Sequence, residues 1–393
     1  MEEKLIYLDN SATTKPSDAS LTKMREALSA YWGNPSSVHR VGDGAHRLLE
    51  EARANVGMTF GIRRPADGSI IFTSGGSEAN SLAMLGSVYA KNRPEKSGSR
   101  GKVFISDGEH SSVEAAAAAL EKDGFTVLRV PTVGGVLDLD FIRERADSTT
   151  VLMSVMLVNN ETGALYDIKG AADIVRAASP KAFIHCDAVQ AYMKMRLVPK
   201  ALGVDSISVS AHKIFAPKGA GALYVTAEVL RGRRLTPVIY GGGQEGGLRN
   251  GTENVPAIAA MGEAAKEGAA LLSERIARTE ELREHLLARI KDCVALNIPR
   301  EHIPNIVNIT LPNIKSETML NYLSGRGICV SAGSACSTHS PGVSRALRAF
   351  GLSEGAADSS LRISLSPMNT EEELDSFADA LLTGIGSLAR ISK

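Results

Sequence analysis

Short apolar runs recur through the first two thirds of the chain, at 69–73, 102–106, 126–130, 150–158, 182–186, 206–210 and 221–225, with helical stretches between them. Several are nearly continuous in Val, Ile, Leu and Phe rather than alternating, the pattern of strands covered on both faces. The rhythm predicts an α/β sheet, mostly parallel, with crossover helices. From about Pro256 the pattern becomes one long helical repeat through Leu271, Leu272, Ile276, Leu282, Leu286, Leu287 and Ile290, ending before Asn297-Ile298-Pro299. Strand candidates follow at 306–311, 327–331 and 361–365, with helices at 317–323 and 371–388. That order predicts a smaller α+β domain. The expected division is a large domain over 16–256 and a small domain formed by 1–15 together with 257–393.

Composition narrows the class. A chain of 393 residues exceeds the size at which one hydrophobic core stops growing, so two domains are expected. Apolar residues at 44% and charged residues at 22% exclude disordered and fibrous classes. Lys plus Arg (44) balance Asp plus Glu (44), which leaves no basic field for nucleic acid and favours a small substrate. The first residues, Met1-Glu2-Glu3-Lys4, lack the basic start and apolar run of a signal peptide, and no run is long enough to span a bilayer. Cys186, Cys293, Cys329 and Cys336 show no paired spacing, so a reducing compartment, the cytoplasm, is expected.

Three strand ends carry candidate chemistry. Ser210, His212 and Lys213 stand just past the 206–210 run, and ligands sit at strand ends in open α/β sheets. A lysine there, among small polar residues, suits Schiff-base chemistry if desolvation lowers its pKa, and reads equally as a surface residue beside a turn. Asp187 ends Phe183-Ile-His-Cys-Asp, where a carboxylate can pair with a protonated pyridine nitrogen or cap a helix. Phe72-Thr-Ser-Gly-Gly-Ser-Glu runs from strand through glycines into a helical pattern, either a phosphate cup at a helix N-terminus or a plain turn. Phosphate cup, ring acid and lysine together are the set that a phosphorylated pyridine aldehyde needs.

With these motifs the chain resembles the cysteine desulfurases of the NifS/IscS type, within the class V aminotransferases of fold type I. The resemblance rests on Tyr7-Leu-Asp-Asn-Ser-Ala-Thr-Thr, Gly33-Asn-Pro-Ser-Ser, Thr73-Ser-Gly-Gly-Ser-Glu-Ala-Asn, Glu109-His110, Val158-Asn-Asn-Glu-Thr-Gly, Asp187-Ala-Val-Gln190, Ser210-Ala-His-Lys213, Gly241-Gly-Gly-Gln-Glu, Gly251-Thr-Glu-Asn, Gly333-Ser-Ala-Cys336 and Leu361-Arg-Ile-Ser, in family order. It implies that pyridoxal 5'-phosphate is joined to Lys213, with Asp187 on the pyridine nitrogen, Gln190 on the ring hydroxyl and His110 stacked on the ring. Gly76, Ser77, Ser210 and His212 would hold the phosphate, with Thr252 reaching in from the partner of a homodimer. Asn160, Arg362 and Asn34 would receive the carboxylate of L-cysteine, for which the planar fork of an arginine is suited. Lys213 and His110 would move protons. Cys336 would be the nucleophile that takes sulfur as a persulfide and passes it to an acceptor such as an iron–sulfur scaffold or a tRNA-thiolation enzyme.

Cys336 lies in a segment of small residues, Ser331-Ala-Gly-Ser-Ala-Cys-Ser-Thr-His-Ser-Pro-Gly, expected to be a mobile loop. Its thiol must be deprotonated to attack. The other three cysteines are expected to be small buried hydrophobes. The alternative on the same scaffold is a selenocysteine lyase or another class V aminotransferase. Two further patterns lack their context: Gly241-Gly-Gly-Gln-Glu-Gly is not followed by a helix opening, and Cys336 with His339 has no second close pair to complete a metal site. Against relatives, Gly76 stands where Ala is common, and the side chains after Cys336 differ.

Overall fold

The computed structural model describes residues 5–90, 100–332 and 344–388. Among these, the strands in chain order are β1 (Ile6–Tyr7), β2 (Ser69–Thr73), β3 (Lys102–Ser106), β4 (Thr126–Val130), β5 (Thr150–Met156), β6 (Phe183–Asp187), β7 (Ser206–Ser210), β8 (Gly221–Val225), β9 (Ala295–Leu296), β10 (Ile306–Thr310), β11 (Ile328–Cys329) and β12 (Ser360–Ser364). Seven form one sheet in the order β2-β8-β7-β6-β5-β3-β4. Every pairing is parallel except those of β8, which runs antiparallel between β2 and β7. The mostly parallel sheet expected from the continuous apolar runs is therefore present, and β6, β7 and β8 are buried at every residue.

This topology gathers the chemistry on one edge. Because β2, β3, β5, β6 and β7 all point the same way, Ser74–Ser77, Glu109–His110, Met156–Asn160, Asp187–Gln190 and Ser210–Lys213 leave the sheet on the same side. The chain winds outward from β3 to β4 in one direction and from β5 through β6 to β7 in the other. The crevice between β3 and β5 is thus a topological switch point, the place where such sheets bind ligands.

A second layer is built on a three-stranded antiparallel sheet, β12-β10-β9, beside the parallel pair β1–β11. Its core joins Leu282, Leu286 and Ile290 to Val307, Ile309, Leu361, Ile363, Phe377 and Leu381. The last helix, Glu371–Ser387, opens with a reciprocal cap in which Thr370 accepts from the Glu373 N–H and Glu373 accepts from the Thr370 N–H. The N-terminal segment ties this layer to the large sheet, since Asp9 bridges Ser364 and the Thr14 N–H donates to the His212 carbonyl at 2.8 Å.

The long helical pattern after Pro256 is two helices, Val255–Ala270 and Leu272–Ile290, broken at Leu271. Each half serves a different core. The first packs on Arg40–Thr59, so closely that a Cβ on Gly262 would lie 2.6 Å from the Ala52 Cα, while the second faces β10 and β12. Periodicity continues across the break because both faces are apolar, so the sequence pattern did not reveal it. Strand 327–331 contracts to β11, and 295–296 forms edge strand β9 rather than the end of a helix. No described helix is long and apolar enough to cross a membrane.

Candidate active site

Ser11, Ala12, Gly76, Ser77, Asn80, His110, Met156, Val158, Asn160, Asp187, Val189, Gln190, Ser210, His212, Lys213 and Arg362 line one cavity of about 200 Å³ at this edge. Lys213 closes a single turn after β7, and its Nζ donates to the Ala12 carbonyl at 2.8 Å and to the Ser11 carbonyl. The Gln190 Nε2 donates to the same Ser11 carbonyl at 2.9 Å.

Asp187, at the end of β6, is the most thoroughly held group. It is 5% exposed, its Oδ2 accepts from the Asn80 Nδ2 at 2.7 Å, and its Oδ1 accepts from the Val189 N–H at 2.9 Å. Asn80 is itself fixed. Burial pushes His185 down to about 3, so its ring is neutral. With Asn80 Oδ1 an acceptor only, the His185 Nε2, 3.0 Å away, carries the proton, and Nδ1 accepts from the Ser206 hydroxyl at 2.8 Å. The chain Ser206–His185–Asn80 thereby aims the Asn80 amide at Asp187, and the Val189 N–H supplies the second donor to the same carboxylate.

His110 caps the helix Ser111–Lys122, its Nδ1 accepting from the Ser112 N–H at 3.2 Å. Beside it Glu109 is fully buried, its Oε1 accepting from the Ser106 hydroxyl at 2.6 Å and the Met156 N–H at 2.7 Å. Burial, reinforced by the Asp187 charge, pushes this carboxyl up to about 8.

The helix Gly76–Val88 begins without a side-chain cap, so its first N–H groups face the cavity with the hydroxyls of Ser77 and Ser210. A Cβ on Gly76 would lie 2.7 Å from the Val189 Cγ2, so any larger residue there would have to displace Val189. His212 is pushed down to about 4 by burial and by the nearby Lys213 and Lys218 charges, so it is a neutral hydrogen-bonding ring at physiological pH. An uncapped helix start, a buried, doubly hydrogen-bonded acid, a lysine and the apolar Val189, Met156 and Val158 fit a phosphorylated pyridine aldehyde. The buried Ser11 Oγ, which has no partner among the described residues, adds a polar group for it.

On the opposite side stands Arg362 of β12, 2% exposed. Its Nη1 donates to the Asn160 carbonyl at 2.9 Å and its Nη2 to Asp9 Oδ1 at 2.8 Å, while its Nε has no partner among the described residues. A buried guanidinium with a donor to spare has the chemistry to receive a small carboxylate.

The cavity thus unites ten residues expected from sequence: Gly76, Ser77, His110, Asn160, Asp187, Gln190, Ser210, His212, Lys213 and Arg362. Asn34 and Thr252 lie outside it and are exposed. Cys336, with His339, lies outside the described residues. Asn80, the Ser11 and Ala12 carbonyls and Lys194 were not anticipated; the (i, i+4) spacing of Gln190 and Lys194 was the one available signal. One cysteine reading is corrected. Cys186 is buried and Cys329 partly so, but Cys293 is exposed, because the helix ends at Ile290 and Cys293 falls in the turn before edge strand β9. Gly241–Gly246 runs through a loop into a short turn, Glu245–Gly247, and opens no helix.

Comparison with known proteins gives a consistent set of likenesses. The aminotransferase class-V family model matches residues 6–377. The cysteine desulfurase IscS 1 of Archaeoglobus fulgidus is 37% identical over 376 residues, 94% of each chain. A cysteine desulfurase of Cereibacter sphaeroides is 36% identical, covering 98% of this chain and 97% of that one. Among solved structures, a NifS-like protein superposes with a TM-score of 0.88 at 32% identity, over 98% of this chain and 100% of that chain. A structure of SspA in complex with cysteine superposes at 0.79 with 31% identity, over 93% and 99%.

Proposed function

Since the chain belongs to the class V aminotransferase family and is similar to cysteine desulfurases along nearly its whole length, we propose that it converts L-cysteine to L-alanine with pyridoxal 5'-phosphate and delivers the sulfur through Cys336. The observation that carries this reading is one cavity in which a lysine, a doubly hydrogen-bonded buried acid and an arginine with an unfilled donor face one another.

Lys213 would hold the cofactor covalently, Asp187 its ring nitrogen, Gln190 its ring oxygen, His110 its face, and Gly76, Ser77, Ser210 and His212 its phosphate. When bound, the cofactor supplies an electron sink for the carbon that bears the substrate amine. Arg362 and Asn160 grip the substrate carboxylate and so orient the bond to be broken. Lys213, or His110 through Nε2, moves the proton from the substrate α-carbon. The Cys336 thiolate then attacks the substrate sulfur: the carbon–sulfur bond breaks, a sulfur–sulfur bond forms, and the electron pair left on carbon is protonated to give alanine. The persulfide passes to a thiol acceptor, of which an iron–sulfur scaffold or a tRNA-thiolation enzyme are the candidate classes.

We further read the chain as two domains meeting at this cavity, and as a homodimer in which Asn34 and Thr252 approach the partner's site. The exposed Trp32, Val38 and Tyr240, on the segments that carry those two residues, support a covered face there.

The test is incubation with L-cysteine followed by intact-mass analysis and peptide mapping. One added sulfur on Cys336 is expected. The Cys336→Ala variant should keep the cofactor absorbance and lose both persulfide and alanine; unchanged alanine release would overturn the assignment.

A further inference from the structure

Lys194 belongs to none of the motifs above, yet it sits directly behind the cavity. Its Nζ donates to the Gln190 Oε1 at 2.8 Å. Gln190 in turn donates from Nε2 to the Ser11 carbonyl at 2.9 Å. The two ends of a glutamine amide are nearly isosteric, so neighbours decide which end points where. Here both neighbours agree. The Ser11 carbonyl can only accept and must face the amide nitrogen, which turns the amide oxygen toward the Lys194 amine, a donor in either of its protonation states. The second N–H of Nε2 is then left for the cavity.

The two anchors are not equivalent. The Ser11 carbonyl also accepts from Lys213, so that anchor is shared with the residue that receives the cofactor. Lys194 is the anchor independent of Lys213. The backbone is strained to place it: Met193, immediately before, has φ 57°, a left-handed conformation uncommon for a non-glycine residue. The position is also electrostatically unfavourable. Lys213 and Arg362 are the charges that act on Lys194, and Arg275 lines the same small cavity behind Lys213. Burial, then the Lys213 and Arg362 charges, push the Lys194 amine down to about 7.

We propose that Lys194 is a positioning residue that locks the Gln190 amide with its N–H toward the ring oxygen of the cofactor. The inference rests on the function proposed above, and two arms separate its failure from the failure of that reading.

The first arm needs no cofactor. The chain holds two glutamines, Gln190 and Gln244, so ¹⁵N-glutamine labelling gives two side-chain amide signals, assigned with a Gln244→Glu variant. In the wild-type apo protein the Gln190 amide should be slow to exchange with solvent, and in Lys194→Met it should exchange faster. A freely exchanging wild-type Gln190 amide, or one unaltered by Lys194→Met, overturns the proposal.

The second arm reads the pH midpoint of the visible absorption of protein loaded with pyridoxal phosphate. Loss of the Gln190 donor and of the nearby positive charge both favour the protonated form, so Lys194→Met should raise the midpoint by about one pH unit. In a Gln190→Leu background the same change should shift it much less. An equal shift in both backgrounds would mean that Lys194 acts through its charge alone, and the positioning role falls. If wild-type protein takes up no pyridoxal phosphate, the proposed function falls, while the first arm still decides whether Lys194 holds the amide.

Discussion

On one wall of the cavity Asp187 accepts from Asn80 at 2.7 Å and from the Val189 N–H at 2.9 Å, and Asn80 is itself held by His185 at 3.0 Å. On the opposite wall Arg362 spends two nitrogens on Asn160 and Asp9 and keeps its Nε unfilled among the described residues. The first wall is satisfied before anything binds, which suits a group that stays. The second holds back a buried donor, which suits an anion that arrives and leaves. The difference follows from where each wall is built: β6 and β7 are adjacent strands of the central sheet, whereas β12 belongs to the smaller sheet and reaches the cavity by bonding to Asn160 and Asp9.

Breaking the saturated wall should have the largest effect. Asp187→Ala leaves the Asn80 and Val189 donors buried without an acceptor, a loss of about 2–4 kcal/mol in stability of the apo protein. Alanine formation should fall by about 10³-fold or more, because the pyridine nitrogen loses its partner. Urea unfolding of the apo protein and a single-turnover alanine assay measure the two. An apo variant as stable as wild type would mean that these hydrogen bonds do not carry the wall.

Opening the other wall should cost less and show a different signature. Arg362→Lys keeps the charge but loses the planar fork, so kcat/KM for cysteine should drop by about 10²-fold, chiefly through KM. The absorbance of the bound cofactor should be unaltered, since the proposed arrangement gives Arg362 no contact with the ring. A variant that bound cysteine normally but had lost its cofactor spectrum would reverse the roles given to the two walls.

The asymmetry also governs how much was legible in the sequence. The sheet was, because strands such as β2, β5 and β8 read as nearly continuous apolar runs, although β7, Ser-Ile-Ser-Val-Ser, alternates in sequence while being buried at every residue. Asp187 and Lys213 were visible as polar residues at or just past strand ends, and Arg362 through its family motif, although it stands in the middle of β12 rather than at a strand end. Asn80 was not: it sits one helical turn inside Gly76–Val88, where an asparagine reads as an ordinary polar residue until β6 is known to lie beneath it. Lys194 was hidden for the same reason, since its target is a side chain presented by tertiary packing. The break at Leu271 went unseen because the helices on either side both have apolar faces, and no local signal says that these face different cores.

Glu109 is the exception within the saturated wall and yields the smallest effect. Its Oε1 accepts from Ser106 and Met156, but its buried Oε2 has no partner among the described residues. Burial first, and the Asp187 charge besides, raise this carboxyl from the usual 4.5 to about 8, so it holds its proton at neutral pH. The folded protein therefore binds one more proton than the unfolded chain between those two values. Its contribution to stability is fully present below about 4.5 and is lost as pH rises through about 8. Glutamine mimics the protonated acid, so Glu109→Gln should match wild type near pH ~5 and become relatively more stable as pH rises, by up to about 1.4 kcal/mol per unit inside the window. His185, depressed to about 3, contributes the opposite slope below its usual value, but does so equally in both proteins. Urea unfolding of both proteins at several pH values reads that difference, and parallel stability curves would mean that Glu109 is ionised in the folded protein and that the wall carries a second charge beside Asp187.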